Sequence, residues 1–482
     1  MSADLKSKVI IGVIWRTTEQ FGVQIVNFGV AIILARLLGP EAFGTIALLT
    51  IFIALSEVIA NAGFGQALIQ KKDADDLDFN SVFYFSCAVG VLLYVILFCA
   101  APLVAKFYDI PLLKILLRVL SIRVVLDMIG SIQNSYLSRN MLFKKSFFIA
   151  FPSTVLAGVV GILMAYLGYG VWALVWSSLS GCLSNLILRW FVIGWRPSLA
   201  FSYERLRVLW GFGSKILASS FLDTFFHQLY NIIIGKVYTP QDLAFYAKGD
   251  NMPKIGMTCI QGAISSVIFP AFSKIQNDID KLKEAMHKTM RVASIIVFPM
   301  MFGLAMMSKP IILLLLGDEW AQVIPFMQIS CVIYAFWPIH AISLQAIQAM
   351  GHSNNFLRLE IYKKTLLLLV LFGTFQHSVL MIALGRLIIT PLTIVINIRP
   401  NIKLIGYSFK DLFCDLYKSI IVSIVFIIVG GVLLILDIPT IYLLIIQILA
   451  FSICYLLLLY LLCPNLFIYF KSNLMNKLKV TR

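Results

Sequence analysis

Residues 32–44 read IILARLLGPEAFG and residues 232–244 read IIIGKVYTPQDLA. Set one above the other at an offset of about 200 residues, they place Arg36 over Lys236 and Pro40 over Pro240. Each copy falls at a corner between two apolar spans. The period takes in six spans, an even number, so the two copies have the same orientation and are related by an axis along the membrane normal.

Composition agrees with a chain made almost wholly of such spans. Of its 482 residues 60% are apolar and only 13% charged, where about 45–50% and about 25% are usual for a soluble globular protein. A chain of this size cannot be clothed in a polar surface with so few charges. A spanning helix takes about 20 apolar residues, so fourteen use about 280, and little is left for a soluble domain. No phosphate-binding loop, dinucleotide fingerprint, His-Glu-x-x-His pair or Cys-x-x-Cys motif occurs, which argues against a single-chain ATP-driven pump. The eight cysteines stand singly in apolar segments and read as small hydrophobes, not as disulfides or metal ligands. No cofactor is expected. The net charge of +16 is spread over short loops and not gathered on one basic face, so it reports membrane topology and not nucleic acid.

Apolar spans are expected near residues 9–36, 43–69, 80–105, 111–135, 146–167, 171–194, 206–236, 241–270, 290–315, 320–349, 357–376, 378–398, 417–436 and 439–463. With the N-terminus and every even-numbered loop on one side, that side holds 27 of the 39 Lys and Arg and the other holds 5. Cytoplasmic loops retain such cations. Both termini are therefore expected in the cytoplasm. The fold expected is all-α integral membrane: fourteen transmembrane helices in two six-helix bundles related by a pseudo-two-fold axis, plus two C-terminal helices. The domains are 1–200, 201–400 and 401–482.

The remaining cations, Arg16, Arg118, Arg123, Lys215, Lys248, Lys254 and Arg386, fall inside spans with the acids Glu19, Glu57, Asp127, Asp223 and Asp250. Each costs roughly 2.5–3.5 kcal/mol at a helix centre, so they must face an interior or a water-filled cavity. Arg16, Gln20, Gln24 and Asn27 form one narrow helical stripe, and Lys215, Ser219, Asp223, His227 and Asn231 recur every four residues on the repeat partner. Arg123, Asp127, Ser131 and Asn134 repeat the pattern on the fourth span. Arg16 with Glu19, Arg123 with Asp127 and Lys215 with Asp223 also read as ion pairs that hold helices together. Lys254 and Arg118 lie nearer helix ends and read as snorkelling side chains. Arg386 has no acid near it in sequence. His227 and His340 read as hydrogen-bonded interior histidines, since neither has a second ligand at metal-binding spacing.

The segments LARLLGPEAFGTIALL (34–49), AGFGQALIQKKD (62–73), FPAFSKIQNDIDKLK (269–283) and LLGDEWAQVIPFMQ (315–328) resemble the polysaccharide transporter branch of the multidrug/oligosaccharidyl-lipid/polysaccharide flippase superfamily, in particular bacterial colanic acid exporters and O-antigen flippases. The resemblance covers nearly the whole chain. It implies a V-shaped pair of bundles that moves an undecaprenyl-diphosphate-linked oligosaccharide from the cytoplasmic to the outer leaflet of the bacterial inner membrane. It also implies a cleft with cations on helices 1, 2, 7 and 8. Arg16, Lys215 and Lys248 match, whereas helix 2 offers only Glu57. The expected partners are the lipid-linked oligosaccharide, membrane lipid, a coupling ion (H+ or Na+) and polysaccharide polymerase machinery.

The chemistry points the same way. A diphosphate and its sugars must cross about 30 Å of hydrocarbon, which calls for fixed cations, amides and hydroxyls. Substrate-binding residues are accordingly expected among Arg16, Gln20, Gln24, Asn27, Arg123, Asp127, Lys215, Asp223, His227 and Lys248, with no catalytic residue. Two rivals are a drug/cation antiporter of the same superfamily, which would concentrate acids in its cleft, and a membrane polysaccharide polymerase or ligase, which would carry a long external loop.

Overall fold

The computed structural model describes residues 3–61, 64–71, 73–351, 353–436 and 438–464. Among them the regular structure is all helical, in seventeen α-helices and one short 3-10 turn. Contacts divide the chain into two units, Met1–Ala244 and Phe245–Arg482.

The first unit begins with α1 (Ala3–Asn61), which is two helices joined across a break at Gly39, where φ is 69°. That angle suits a residue without Cβ, and Pro40 then opens the following helix. The corner read from IILARLLGPEAFG is therefore real. Its repeat copy lies between α8 (Tyr203–Val237) and α9 (Pro240–Lys274), where Thr239 and Asp242 cap each other: the Asp242 N–H donates to the Thr239 hydroxyl, and the Thr239 N–H to the Asp242 carboxylate. Between the corners come α2 (Phe64–Gln70), α3 (Asp76–Tyr108), α4 (Leu112–Leu120), α5 (Ile122–Arg139), α6 (Phe143–Tyr166) and α7 (Trp172–Val192). α6 packs against both α7 and α1. Small residues allow this: a Cβ on Gly158 would lie 2.4 Å from Val30, and one on Gly181 would lie 2.8 Å from the Ala157 Cβ. α3 starts in a reciprocal cap in which Asp75 accepts from the Asp78 N–H and Asp78 from the Asp75 N–H. That N–H is the main reason the Asp75 carboxyl is held below the usual carboxylate range.

The second unit carries α10 (Ile279–Met306), α11 (Ser308–Leu315), α12 (Val323–Ala335), α13 (Trp337–Ala349), α14 (Ser353–Thr374), α15 (Val379–Ile405), α16 (Phe409–Ile435) and α17 (Thr440–Leu462). α10 is central and touches α12, α13, α15 and α16. α16 is tied to it by Asp415, whose side chain is fully buried and accepts from Arg291 Nε at 2.6 Å and the Tyr407 hydroxyl at 2.7 Å, with His287 Nδ1 at 2.6 Å. α17 packs on α16 through Phe426 and Phe451, stacked 4.7 Å apart.

Among the described residues eight helical stretches are long and apolar enough to cross a membrane, the first of them running across the Gly39 corner and another, Val323–Ala349, running through α12 and α13. Their surfaces fit a hydrocarbon solvent: on α17, Ile441, Ile445, Ile448, Leu449 and Ile453 are half or more exposed or nearly so. The chain is an all-helical, multi-pass membrane protein. The apolar runs at 111–135 and 320–349 are each two helices, broken at Ser121 and at Phe336, where Pro338 sits in the first turn of α13. A run of hydropathy does not reveal such breaks, since neither Ser121 nor Phe336 carries a charge that interrupts it.

Candidate functional site

Three spans of the first unit build a polar centre. From α1, Glu57 Oε1 forms an ion pair with Arg123 Nη2 at 3.0 Å. From α5, Arg123 Nε donates to Asp127 at 3.1 Å, the i, i+4 geometry expected from sequence. From α7, the Ser178 hydroxyl accepts from Arg123 Nη1 at 3.0 Å and the Cys182 thiol donates to the other Asp127 oxygen at 3.0 Å. Each of the three Arg123 nitrogens thus faces a carboxylate or a hydroxyl. Arg123, Glu57 and Asp127 each keep about a third of their side chains accessible, Arg123 37%, Glu57 30% and Asp127 31%. They face a cavity of about 360 Å3, lined also by Ser131, Asn134 and Arg189.

Arg189 is a residue the sequence reading misplaced. By sequence it counts among the 27 cations of the side that holds the N-terminus. Instead it lies in the last turn of α7, lines the cavity, and donates through Nη1 to the Gly130 carbonyl, with Nε buried. Gly130 makes room for it: a Cβ there would sit 2.8 Å from Arg189 Nη1. The signal was present, because Ser178, Cys182, Asn185 and Arg189 follow the i, i+4, i+7, i+11 course of one helix face.

Other predicted residues fall in separate places. Arg16 is half exposed and pairs with Glu19 through two contacts of 3.0 and 3.1 Å, while Glu19 is buried and also accepts from Ser146. Gln20 and Asn27 are exposed and Gln24 half-buried along the same helix, so the stripe stands on one helix with Arg16 at its head. Asp223 lies 3.8 Å from His227 on α8, both largely exposed. Lys215 is on the same helix, but its side chain lies outside the described residues, as does any pairing with Asp223. Lys248 belongs to the second unit and sits 5.7 Å above the ring of buried Trp320. Arg118 is exposed near its helix end, with its guanidinium over Phe98 at 4.1 Å, as a snorkelling side chain should be. His340 meets the Asn397 amide at 2.7 Å.

Arg386 has the partner that sequence did not disclose. Its Nη1 contacts Asp250 at 3.1 Å and donates to the Tyr246 hydroxyl at 2.6 Å, and Asp250 also accepts from Ser330 and Tyr334 at 3.3 Å each. These residues come from α9, α12 and α15. Each unit therefore has an arginine–carboxylate centre inside its helices, in addition to the Arg16–Glu19 and Arg291–Asp415 pairs. Chemically, both centres offer donors and acceptors to polar groups. Among the described residues no cluster of three or more metal-ligating side chains occurs.

Comparison with known proteins fits this geometry. The chain is 24% identical over 430 residues to the lipopolysaccharide biosynthesis protein WzxC of Escherichia coli, covering 87% of this chain and 86% of that one. It is 27% identical over 311 residues to the succinoglycan biosynthesis transport protein ExoT of Rhizobium meliloti, a match spanning 64% of this chain and 63% of that protein's length. Among solved structures, the lipid II flippase MurJ in an inward closed conformation superposes with a TM-score of 0.73 at 14% identity, covering 94% of this chain and 99% of that one. An inward-facing multidrug resistance MATE family transporter of the MOP superfamily gives 0.59 at 16% identity, over 82% and 99% of the two chains. At such identities these two speak for the fold alone. The sequence profile of the polysaccharide biosynthesis protein family matches residues 33–325, more than half of the chain, and the chain belongs to that family.

Proposed function

We propose that the protein is a flippase that carries undecaprenyl-diphosphate-linked oligosaccharide units across the bacterial inner membrane by alternating access, for surface polysaccharide or lipopolysaccharide synthesis. The observation that carries the reading is the charged, hydroxyl-lined cavity of about 360 Å3 enclosed by apolar spanning helices in a member of a polysaccharide biosynthesis family. Charges at membrane depth cost several kcal/mol unless they have work to do. In this reading the chain crosses the membrane fourteen times with both termini in the cytoplasm. Residues 1–200 and 201–400 form the two six-helix bundles, and 401–482 the extra pair with its tail. Arg16, Lys215 and Lys248 bind the diphosphate, and Gln20, Gln24, Asn27, Arg123, Asp127, Asp223 and His227 line the same diphosphate and sugar cleft. A proton or sodium gradient drives the cycle, and polymerase machinery takes the product.

The test is genetic and chemical. A deletion strain should accumulate the lipid-linked glycan on the cytoplasmic side, and the wild-type chain should clear it. Lys215→Ala should fail to clear it, and so should Lys215→Ala combined with Asp223→Ala, although both are made and inserted. A charge-assisted contact to phosphate is worth about 1.5–3 kcal/mol, or roughly ten- to hundredfold in transport. Near-normal export from the double variant would show that Lys215 only neutralises an acid, and would remove it from the site.

A further inference from the structure

The cavity of the first unit is rich in charge but balanced. Two guanidinium groups, Arg123 and Arg189, and two carboxylates, Glu57 and Asp127, line it. Arg123 already holds both carboxylates, at 3.0 and 3.1 Å. A diphosphate entering here meets two negative groups whose cation is taken, and like charges in a poorly solvated site raise one another's energy. A cationic ligand meets two arginines in turn. Neither sign of ligand leaves the site neutral.

What the cavity does offer is a dense mixture of hydrogen-bonding groups. The Ser131, Ser135 and Ser138 hydroxyls and the Asn134 amide line it; Ser131 and Ser135 give their protons to the Met128 and Ser131 carbonyls and so offer lone pairs, while Ser138 and Asn134 can both donate and accept. The carboxylates accept only. Arg189 Nε is a buried donor without a partner among the described residues, a cost of about 1–3 kcal/mol that an acceptor would relieve. Hydroxyl groups are the ligands that use both kinds, since each is one donor and two acceptors. A volume of about 360 Å3 lies at the small end of small-molecule sites, about 300–1,000 Å3.

We infer that this cavity holds one uncharged sugar ring of the carried glycan, its hydroxyls donating to Glu57, Asp127 and the Ser131 and Ser135 oxygens and accepting from Arg189, Asn134 and Ser138, while the diphosphate binds elsewhere. The inference rests on the flippase reading and refines it, by assigning the Arg123–Asp127 centre to sugar and not to phosphate.

The experiment uses the full chain in proteoliposomes, with a thiol placed in the cavity as Asn134→Cys and, in a second variant, Ser138→Cys. Alkylation by N-ethylmaleimide is followed peptide by peptide by mass spectrometry, with exposed Cys414 as the internal reference. The probes are undecaprenyl diphosphate carrying N-acetylglucosamine, undecaprenyl diphosphate alone, and inorganic diphosphate. At ten times its dissociation constant a ligand fills about 90% of sites, so the sugar-bearing lipid should slow alkylation about tenfold at both positions. The other two probes should leave the rate within about twofold, and Cys414 should not respond to any of them. Equal protection by the bare lipid or by inorganic diphosphate would overturn the inference and make the cavity a phosphate site. No protection by any probe, while the wild-type chain in the same vesicles moves the sugar-bearing lipid, would also overturn it and leave the flippase reading standing. Protection by the sugar-bearing lipid in vesicles that move no lipid would support the sugar site and sink the transport reading instead.

Discussion

Replacing Arg386 by Met tests whether the centre of the second unit is a closed structural pair. The Arg386 and Asp250 side chains are 21% and 20% accessible and meet at 3.1 Å. Removing the cation leaves a largely buried carboxylate facing two hydroxyl donors and no guanidinium. Breaking a buried pair from one side costs about 3–5 kcal/mol. For a cooperative unit of 150–250 residues, 1 kcal/mol moves the melting temperature by about 2–4 °C, so Arg386→Met should melt roughly 6–20 °C lower. In the double variant Asp250→Asn, Arg386→Met, the amide oxygen still accepts from Ser330 and Tyr334 and no charge is stranded. It should recover most of the loss and melt within a few degrees of wild type. The assay is the fraction of detergent-solubilised protein that remains monodisperse by size-exclusion chromatography after heating. Single losses that simply add in the double variant would refute the pairing, because coupled neighbours are not additive. So would an Arg386→Met chain that melts normally.

A thiol placed at Asp109 or Asp318 should react with a membrane-impermeant maleimide in intact cells, and one at Ser273 should not; reaction at Ser273 would overturn the fourteen-span topology. Asp75→Asn keeps a side-chain oxygen at the helix cap and removes the charge, so it should lower stability at neutral pH by about 0.3–1 kcal/mol. The folded Asp75 carboxyl is held below its ordinary value, first by the Asp78 N–H. Its contribution is therefore present above the unfolded pKa of about 4 and is lost as pH falls through the folded value. Melting curves of wild type and Asp75→Asn should then converge on acidification from pH 6 to pH 3, and a constant gap would refute the assignment. Asp415→Ala, which strands Arg291, His287 and Tyr407 around a fully buried position, should lower the melting temperature far more than Asp411→Ala, whose carboxylate is 28% accessible; equal effects would show that α16 is not fastened through Asp415.

The parts of this protein legible in its sequence are those written within one helix or one period. Hydropathy located the helices, because a lipid-facing surface leaves no choice of residue type along a span. The corner at Gly39–Pro40 and its copy at Thr239–Pro240 were visible because both use the same residue at the same step. The Arg16–Glu19 and Arg123–Asp127 pairs were visible because i+3 and i+4 neighbours share a face. What stayed hidden depends on packing between distant segments. Nothing near Arg386 in the chain announces Asp250, 136 positions away, and nothing near Glu57 announces Arg123. Arg189 was hidden differently: at the last turn of a span, a cation that anchors the helix in the cytoplasm and one that reaches back into the bundle look alike until the Gly130 carbonyl is seen beneath it. On α8 the four-residue rhythm offers Asp223 both Lys215 and His227, and His227 stands 3.8 Å from it.

The two polar centres bear on the repeat itself. In the first unit the centre draws on the helix that follows the Pro40 corner through Glu57, on α5 through Arg123 and Asp127, and on α7 through Ser178, Cys182 and Arg189. In the second it draws on the helix that follows the Pro240 corner through Tyr246 and Asp250, on α12 through Ser330 and Tyr334, and on α15 through Arg386. Shifted by about 200 residues the same three helices contribute in the same order. A duplication would account for that agreement, since the contributing residues lie well beyond the matched segments. The centres then differ in one respect that matters for function. The second sets one arginine against one carboxylate and closes the pair with tyrosine and serine hydroxyls. The first sets two arginines against two carboxylates around open space. If duplication supplied a structural pair in both copies, the added charges and the cavity of the first are the departure that needs a ligand, and it is there that a glycan should be sought.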